Sequence, residues 1–441
     1  MQRTNPFYHR GPIHDPRYFR DRVQEIAQAR HLLGLGQSVS IVGPRRIGKS
    51  SLLLQLARAN TAAGDCYVYF NCEGWSAVSP GALHTLLIEA MAGTLGESAP
   101  LFVTGAKALP YREFRAAILD ATSSGRRLVF LFDEFESLSA NPHLDAAFFS
   151  GLRALATTGR VAFVTASARS LGWLTFAEPT ALSSPFFNIF TQINLNPFNR
   201  DDAVALIRDL AAEAGMHLAG DTVDRVLHLT GPHPFFVQIA AFYAFDHADP
   251  ATGALTPAAA AQVRSDFLAQ AADHWRYAWR DLPPVDRKQL AITADLAAAP
   301  PSLLRRLRDL ALLADEADGP HLLSPELAAF FARQPVEGLL QAPPFAIDEA
   351  QRRVFLEGRV LDVHGLEYDL LLLLAANPGK VVGAGAIQAV LWPQDNGDVD
   401  NLERLKSVVK GLRRKLGAQD HLLQNERGVG YALAAERLEP E

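Results

Sequence analysis

One stretch near the start of the chain, Gly43-Pro44-Arg45-Arg46-Ile47-Gly48-Lys49-Ser50, has the residue types and spacing to hold a triphosphate. The pattern Gly-x-x-x-x-Gly-Lys-Ser puts glycines where the backbone must curl tightly enough to aim its N–H groups at phosphate oxygens. Lys49 brings a cation to the start of a helix, and Ser50 offers a hydroxyl to Mg²⁺. Ser51 follows in the same turn. Such a site also needs acid, and "RLVFLFDEFESL" supplies it. Leu128–Phe132 is apolar on both faces, as a central parallel strand should be, and Asp133 and Glu134 emerge at its C-terminal end, where open α/β sheets bind ligands. Asp133 suits the Mg²⁺ shell and Glu134 suits orienting an attacking water. Lys49, Asp133 and Glu134 are therefore the expected catalytic set, with ATP or ADP and Mg²⁺ as cofactors. In "TASARS", Ser167 and Arg169 follow another apolar strand. They are either γ-phosphate sensors or plain surface-loop residues.

A second chemistry lies near the other end. The chain of 441 residues carries a formal net charge of −6. Yet "VDNLERLKSVVKGLRRKLG" holds Arg404, Lys406, Lys410, Arg413, Arg414 and Lys415 against only Asp400 and Glu403. Apolar residues at 402, 405, 408/409, 412 and 416 make a helical stripe that should pack on a core. Lys406, Lys410, Arg413 and Arg414 occupy an arc beside that stripe. In "HLLQNERGVGYAL" the alternation predicts a hairpin, with Gly428 and Gly430 permitting its turn and Arg427 at its tip. A helix followed by a basic-tipped hairpin is a winged helix, whose helix fits the DNA major groove while the wing reaches phosphates or the minor groove. The acidic balance excludes a uniformly basic nucleic-acid coat, so any DNA contact must be local.

The elements between these two features predict how they are held. Strands at Tyr67–Cys72, Leu128–Phe132, Val161–Ala166 and Phe190–Leu195 alternate with helical segments, which implies a doubly wound parallel sheet. From about residue 200 the pattern is helical, opened by Asn199 or Asp201 as an N-cap. Two or three helices and a hairpin turned at Asp318-Gly319 follow, then a proline-punctuated linker, "QPVEGLLQAPP". Arg305, Arg306 and Arg308 share a helix with Leu303, Leu304, Leu307 and Leu310, either a solvated face, the leading reading, or a second DNA contact. Cys66 and Cys72, roughly 20 Å apart along one strand, are too far to bridge each other, as in a reduced cytosolic protein. "MQRTNPFYHRGP" lacks the apolar core of a signal peptide, and no apolar run reaches the roughly 20 residues of a spanning helix. A cytoplasmic location without membrane contact is expected.

Together, "NPFYHRGPIHDPRYFRDRVQEI…IVGPRRIGKSSLL", "FLFDEFE", "SPFFNIFTQINLNPF" and "LTGPHPFFVQIA" resemble the AAA-like P-loop ATPases of the STAND class over roughly residues 5 to 335. The resemblance places Phe19 and Arg22 near the adenine, and makes "GPHP" a lid motif bringing Pro234 to the base. The usual glycine before that arginine is Asp21 here, and the usual Gly-x-Pro reads Pro232-His233-Pro234. The segment from about 345 to 436, "RVFLEGRVLDVHGLEYDLLLLLAANPGKVV" through "VLWP" and "RGVGYAL", resembles the DNA-binding domain of OmpR-type response regulators. That resemblance turns Lys406, Ser407, Lys410 and Arg413 to the groove and assigns Arg427 to the wing. His364 stands where that family has a helix-capping threonine.

The expected organisation is a P-loop core at 1–198, a helical lid at 199–268, a winged-helix segment at 269–336, a linker at 337–346 and an OmpR-type winged-helix domain at 347–437. The fold class is an α/β P-loop NTPase sheet followed by an α+β winged-helix domain. The leading functional expectation is a signal-transducing, ATP-controlled DNA-binding regulator with slow hydrolysis. Double-stranded DNA, further copies of the chain and an upstream signalling protein are its expected partners. Two alternatives stay open at this point: a DNA-tethered ATPase that loads or remodels machinery of a defence or mobile-element system, and a scaffold whose winged helix binds protein.

Overall fold

The computed structural model describes residues 4–7, 10–58, 64–96, 108–176, 184–293, 295–316, 319–394 and 400–435. Two compact units emerge: residues 1–268 with 307–312, and residues 269–306 with 313–441.

The first unit is built on five parallel strands, β1 (Ser38–Val42), β2 (Asp65–Asn71), β3 (Arg127–Asp133), β4 (Val161–Ser167) and β5 (Phe190–Asn194). Their order is β2-β3-β4-β1-β5. β4 is buried at every position and β3 at all but its first. Apolar residues on both faces of a strand can be satisfied only if helices cover both faces. One face carries Phe70, Phe130, Phe132 and Phe163 against the helices Pro80–Leu95, Tyr111–Ala121 and Ala146–Ala156. The other carries Val129, Leu131, Val164 and Ile41 against Leu52, Leu53 and Leu56 of the helix Lys49–Ala57. The alternating strands and helices thus form the doubly wound sheet the sequence implies.

Three helices follow at Arg200–Glu213, Gly220–Thr230 and Pro234–His247. Asn199 caps the first, its side-chain oxygen accepting from Asp202 N at 2.8 Å. Proline at the first position of the third supplies a preset φ where no N–H is needed.

The second unit opens within the helix Pro257–Asp281 and continues through the helices Pro284–Ile292 and Pro301–Asp309, the antiparallel hairpin β6 (Leu313–Glu316) and β7 (Gly319–Leu322), and the helix Pro325–Ala332. Asp318, half of the expected turn, lies outside the described residues. The stretch expected to be a linker is not free chain. It contains β8 (Leu339–Ala342), which pairs antiparallel with β9 (Phe345–Asp348) in a sheet completed by β10 (Arg353–Leu356) and β11 (Arg359–Leu361). Burial of Leu339 and Ala342 explains why residues between prolines form an edge strand here. The helices Leu366–Ala375, Ala384–Leu391 and Asp400–Leu416 then pack with β12 (Val382–Gly383), β13 (Leu423–Glu426) and β14 (Gly430–Leu433) around Leu371, Leu374, Leu405, Leu412 and Leu433. This is a winged helix with an N-terminal sheet.

Two contacts fasten the helix Pro284–Ile292 to the four-stranded sheet. Lys288 Nζ lies 2.8 Å from Asp348 Oδ2, whose carboxylate is almost fully buried. At the β10–β11 turn, a Cβ on Gly358 would sit 2.5 Å from Thr293 Oγ1, and Gly358 has φ +79°, so only glycine fits there. Burial raises the Asp348 pKa, but the Lys288 hydrogen bond and backbone N–H donors outweigh it and hold the carboxyl below its ordinary value. A lowered folded-state pKa gives stability that is present above the unfolded value and lost as pH falls through the folded one. Lys288→Ala should therefore destabilise the second unit by about 2 kcal/mol at neutral pH, with the difference shrinking below about pH 4. Denaturant unfolding at pH 7 and pH 3.5 measures both.

Candidate nucleotide site and nucleic-acid interface

The phosphate loop begins where β1 ends and the helix Lys49–Ala57 starts. Gly48 takes φ +104° at the helix N-cap, a conformation costly for any residue with a Cβ. A Cβ on Gly43 would lie 2.9 Å from Ile47 Cγ2 and 3.1 Å from Leu195 O, so the loop closes only over glycine. Arg46 (φ +68°), Glu134 (φ +50°), Arg22 (φ +65°) and Asp21 (φ +63°) are also left-handed. The aspartate that replaces the expected glycine is among the side chains that tolerate this region best. Strained backbone of this kind gathers at ligand sites.

A cavity of about 460 Å³ lies at the C-terminal end of the sheet, within the first unit. Arg45, Arg46, Ile47, Gly48, Lys49, Ser50, Ser51, Asp133 and Glu134 all line it, as do Phe19, Arg22 and Pro234. Gly43 and Pro44 are not in its lining; Lys49 Nζ donates to their carbonyls at 2.8 and 3.0 Å. Lys49 is nearly fully buried. Burial pushes its pKa down, against the opposing pull of Glu134, Glu136 and Asp133. Glu134 is pushed up, again chiefly by burial, with Lys49 opposing.

Arg22 ties three elements together. Its guanidinium donates to Ile47 O (3.2 Å), Asn196 O (2.7 Å) and Glu25 Oε1 (2.8 Å), and lies 4.7 Å from the Phe198 ring centroid. Ser51 Oγ accepts from Ile13 N at 2.9 Å, so its hydroxyl fixes the N-terminal segment. Ser50 and Asp133 offer hard oxygen donors in one cavity. Among the described residues no group of three or more His, Cys, Asp or Glu could hold a metal. Mg²⁺ arriving with a nucleotide needs none, since it takes phosphate oxygens and waters beside one or two protein oxygens. The residues present fit that ion.

Ser167 and Arg169 are not brought to the cavity lining. Ser167 is fully buried at the end of β4, its Oγ donating to Arg169 O at 2.7 Å, so the hydroxyl turns its own loop. The Arg169 guanidinium stacks 5.5 Å from the Trp173 ring. His233 is buried against Phe236, a packing role. Residues unexpected from sequence also line the cavity: Arg10 to Ile13, Tyr69, Asn71, Glu73, Phe198, Phe235 and Gln238. Tyr69 and Asn71 were legible in principle, because alternation along β2 puts them on one face. Arg10–Ile13 lie in irregular chain that no periodicity marks.

In the second unit, Leu405, Val409, Leu412 and Leu416 of the helix Asp400–Leu416 are buried, as the stripe requires. Leu402 is 46% exposed, because the helix joins the core only from Leu405 onward. Lys406, Ser407, Lys410 and Arg414 are exposed beside the stripe, and Arg427 is exposed next to Gly428 (φ +75°) at the hairpin tip. Arg413 departs from the expected groove-facing set. Its Nη2 donates to Leu423 O at 2.8 Å, which pins the helix to β13. Lys406 pairs with Glu403 at 2.6 Å on the open surface, and Lys415 pairs with Glu367 at 2.6 Å. Residues 395–399, with Asp395 and Asp398, lie outside the described residues.

Residues 115–292 match the family model described as Novel STAND NTPase 2, and residues 358–433 match the one described as Transcriptional regulatory protein, C terminal. The first match begins after the phosphate loop, which the fold places against Asp133. Response regulator ArlR of Staphylococcus saprophyticus is 31% identical over 109 residues, 24% of this chain and 49% of that protein. Response regulator protein PmrA of Pseudomonas aeruginosa is 37% identical over 87 residues, 20% of this chain and 38% of that protein. The chain thus spans half or less of the length of these curated relatives. Among solved structures, the Walker-type ATPase PABY2304 of Pyrococcus abyssi is similar with TM-score 0.52 at 14% identity, over 73% of this chain and 98% of that one, a likeness of fold. The chain therefore joins a STAND-type P-loop NTPase segment to an OmpR-type winged-helix DNA-binding domain. No helix among the described residues is long and apolar enough to cross a membrane.

Removing the Lys49 ammonium takes away charge-assisted bonds worth about 2–3 kcal/mol. Lys49→Ala should weaken ATP binding roughly a hundredfold, read by titration with a fluorescent ATP analogue. Affinity within twofold of the parent would remove Lys49 from the site.

Proposed function

We propose that this chain is an ATP-dependent regulator of transcription, in which nucleotide binding and slow hydrolysis govern how the C-terminal domain meets double-stranded DNA. The observation that carries the reading is the cavity itself. It gathers the phosphate loop, the Asp133–Glu134 pair and side chains from the following helices, Leu206, Pro234 and Phe235, in a chain whose other end carries exposed cations on an OmpR-type helix.

In this reading the loop N–H groups and Lys49 hold the β- and γ-phosphates. Ser50 and Asp133 hold Mg²⁺, which when bound neutralises charge on the transferred phosphoryl oxygens. Glu134 orients the attacking water. Phe19, Phe198, Pro234 and Phe235 enclose the base, with Arg22 bridging the phosphate loop and the chain just before the lid. Because walls from the core and from residues 199–268 meet at one ligand, ATP and ADP bind lid-closed and lid-open states with different affinity, which a switch requires. ATP-bound molecules self-associate, and an upstream protein sets the exchange. On DNA, Lys406, Ser407, Lys410 and Arg414 face the major groove, Arg427 reaches the flanking phosphates, and Arg413 holds helix and wing together. The protein works in the cytoplasm.

DNA binding by the full chain should change between ATP and ADP in the parent and lose that response in Lys49→Ala, while the nucleotide-free affinity stays the same. Equal affinity with ATP, ADP and no nucleotide in the parent would end the switch reading. Diffuse rather than discrete binding across a genome in Glu134→Gln would favour a DNA-tethered remodeller. Replacing Lys406 and Lys410 together with alanine should lower the slope of log affinity against log salt by about two units. An unchanged slope would remove these two from the DNA face.

A further inference from the structure

β2 lies beside β3 in parallel register, with Tyr69 opposite Leu131 and Asn71 opposite Asp133. Side chains two apart on a strand share a face, so Tyr69 projects to the side on which Asp133 emerges. There its hydroxyl donates to Asp133 Oδ2 at 2.8 Å, while the Glu134 N–H donates to Oδ1 at 3.1 Å. Asp133 is only 3% exposed, and both residues line the nucleotide cavity. Two donors, one on each oxygen, fix the rotation of the carboxylate. Each carboxylate oxygen can accept twice, so a lone pair on either remains for a further partner.

We infer that Tyr69 is a positioning residue: its hydroxyl sets the Asp133 carboxylate, before the nucleotide arrives, in the orientation that receives the hydrated Mg²⁺ of MgATP. The inference rests on the nucleotide reading above and adds to it. A carboxylate oriented in advance loses less freedom when it meets the ion, and partners behind a metal ligand typically tune metal affinity by about tenfold or more. A merely structural hydroxyl would affect folding instead. The phenyl ring packs beside Leu131 and Val129, so Tyr69→Phe keeps the packing and removes only the donor.

The test uses the full chain and a fluorescent ATP analogue, titrating Mg²⁺ at fixed nucleotide and repeating the binding in EDTA. Tyr69→Phe should raise the half-saturating Mg²⁺ about tenfold and leave affinity in EDTA unchanged. On an Asp133→Asn background, Tyr69→Phe should add nothing, because the group it positions has already been altered. An unchanged Mg²⁺ midpoint in Tyr69→Phe overturns the inference, and a lowered thermal midpoint in that case assigns the hydroxyl to stability. Additive shifts in the double variant overturn it too. Failure of the parent chain to bind the analogue at all, or binding indifferent to Lys49→Ala, defeats the nucleotide reading itself and is distinguishable by that control.

Discussion

Everything in the first unit answers to a buried lysine. Lys49 sits nearly out of water with its ammonium on two loop carbonyls, and three carboxylates, Glu134, Glu136 and Asp133, oppose the effect of its burial. Burying a charge is costly unless it is paired. The fold meets that cost by bringing β1 and β3 into one sheet with β4 between them, so that the loop after β1 and the acids after β3 open onto the same cavity. Glycine at 43 and 48, the left-handed Arg46 and Glu134, and the Tyr69–Asp133 bond all hold that arrangement.

The same cavity is where the N-terminal segment gains a purpose. Asn5 Nδ2 donates to Phe242 O and Asp246 Oδ1 on the helix Pro234–His247, and Phe7 packs edge-on against Phe245. Farther along, Ile13 is bonded to Ser51, and Arg20 is paired with Glu213 on the helix Arg200–Glu213. Residues 10–13 between these anchors line the cavity. One N-terminal segment thus touches the helices Pro234–His247, Arg200–Glu213 and Lys49–Ala57. Each of these polar contacts has a side-chain partner, Asn5, Ser51 or Arg20, so the segment's contribution is spread over side chains far apart in sequence.

How much of this was legible follows from what each level of structure depends on. The phosphate loop, the Asp133–Glu134 pair and the parallel sheet could be read because local rules govern them: glycine spacing, doubly apolar strands and their punctuation. The winged helix was legible for the same reason, through a stripe beside an arc of cations. What escaped depends on partners distant in sequence. Nothing local says that Arg413 turns to Leu423 O rather than outward, that Ser167 spends its hydroxyl on Arg169 O, or that Tyr69 meets Asp133. The linker at 337–346 misled because prolines punctuate it, whereas Leu339 and Ala342 find burial only once β9 lies alongside.

That last difference changes what a nucleotide would have to move. A DNA-binding domain on a free tether would respond to ATP only through its local concentration, since a flexible linker transmits no orientation. Here the tether is a strand of the domain's own sheet, and the helix Pro284–Ile292 is fastened to that sheet by a buried carboxylate and by a glycine that only close backbone approach can explain. Residues 269–306 and 313–441 accordingly form one compact unit. The middle helices therefore belong mechanically with the DNA reader, and the cut between the two units falls inside the continuous helix Pro257–Asp281 and again at 307–312.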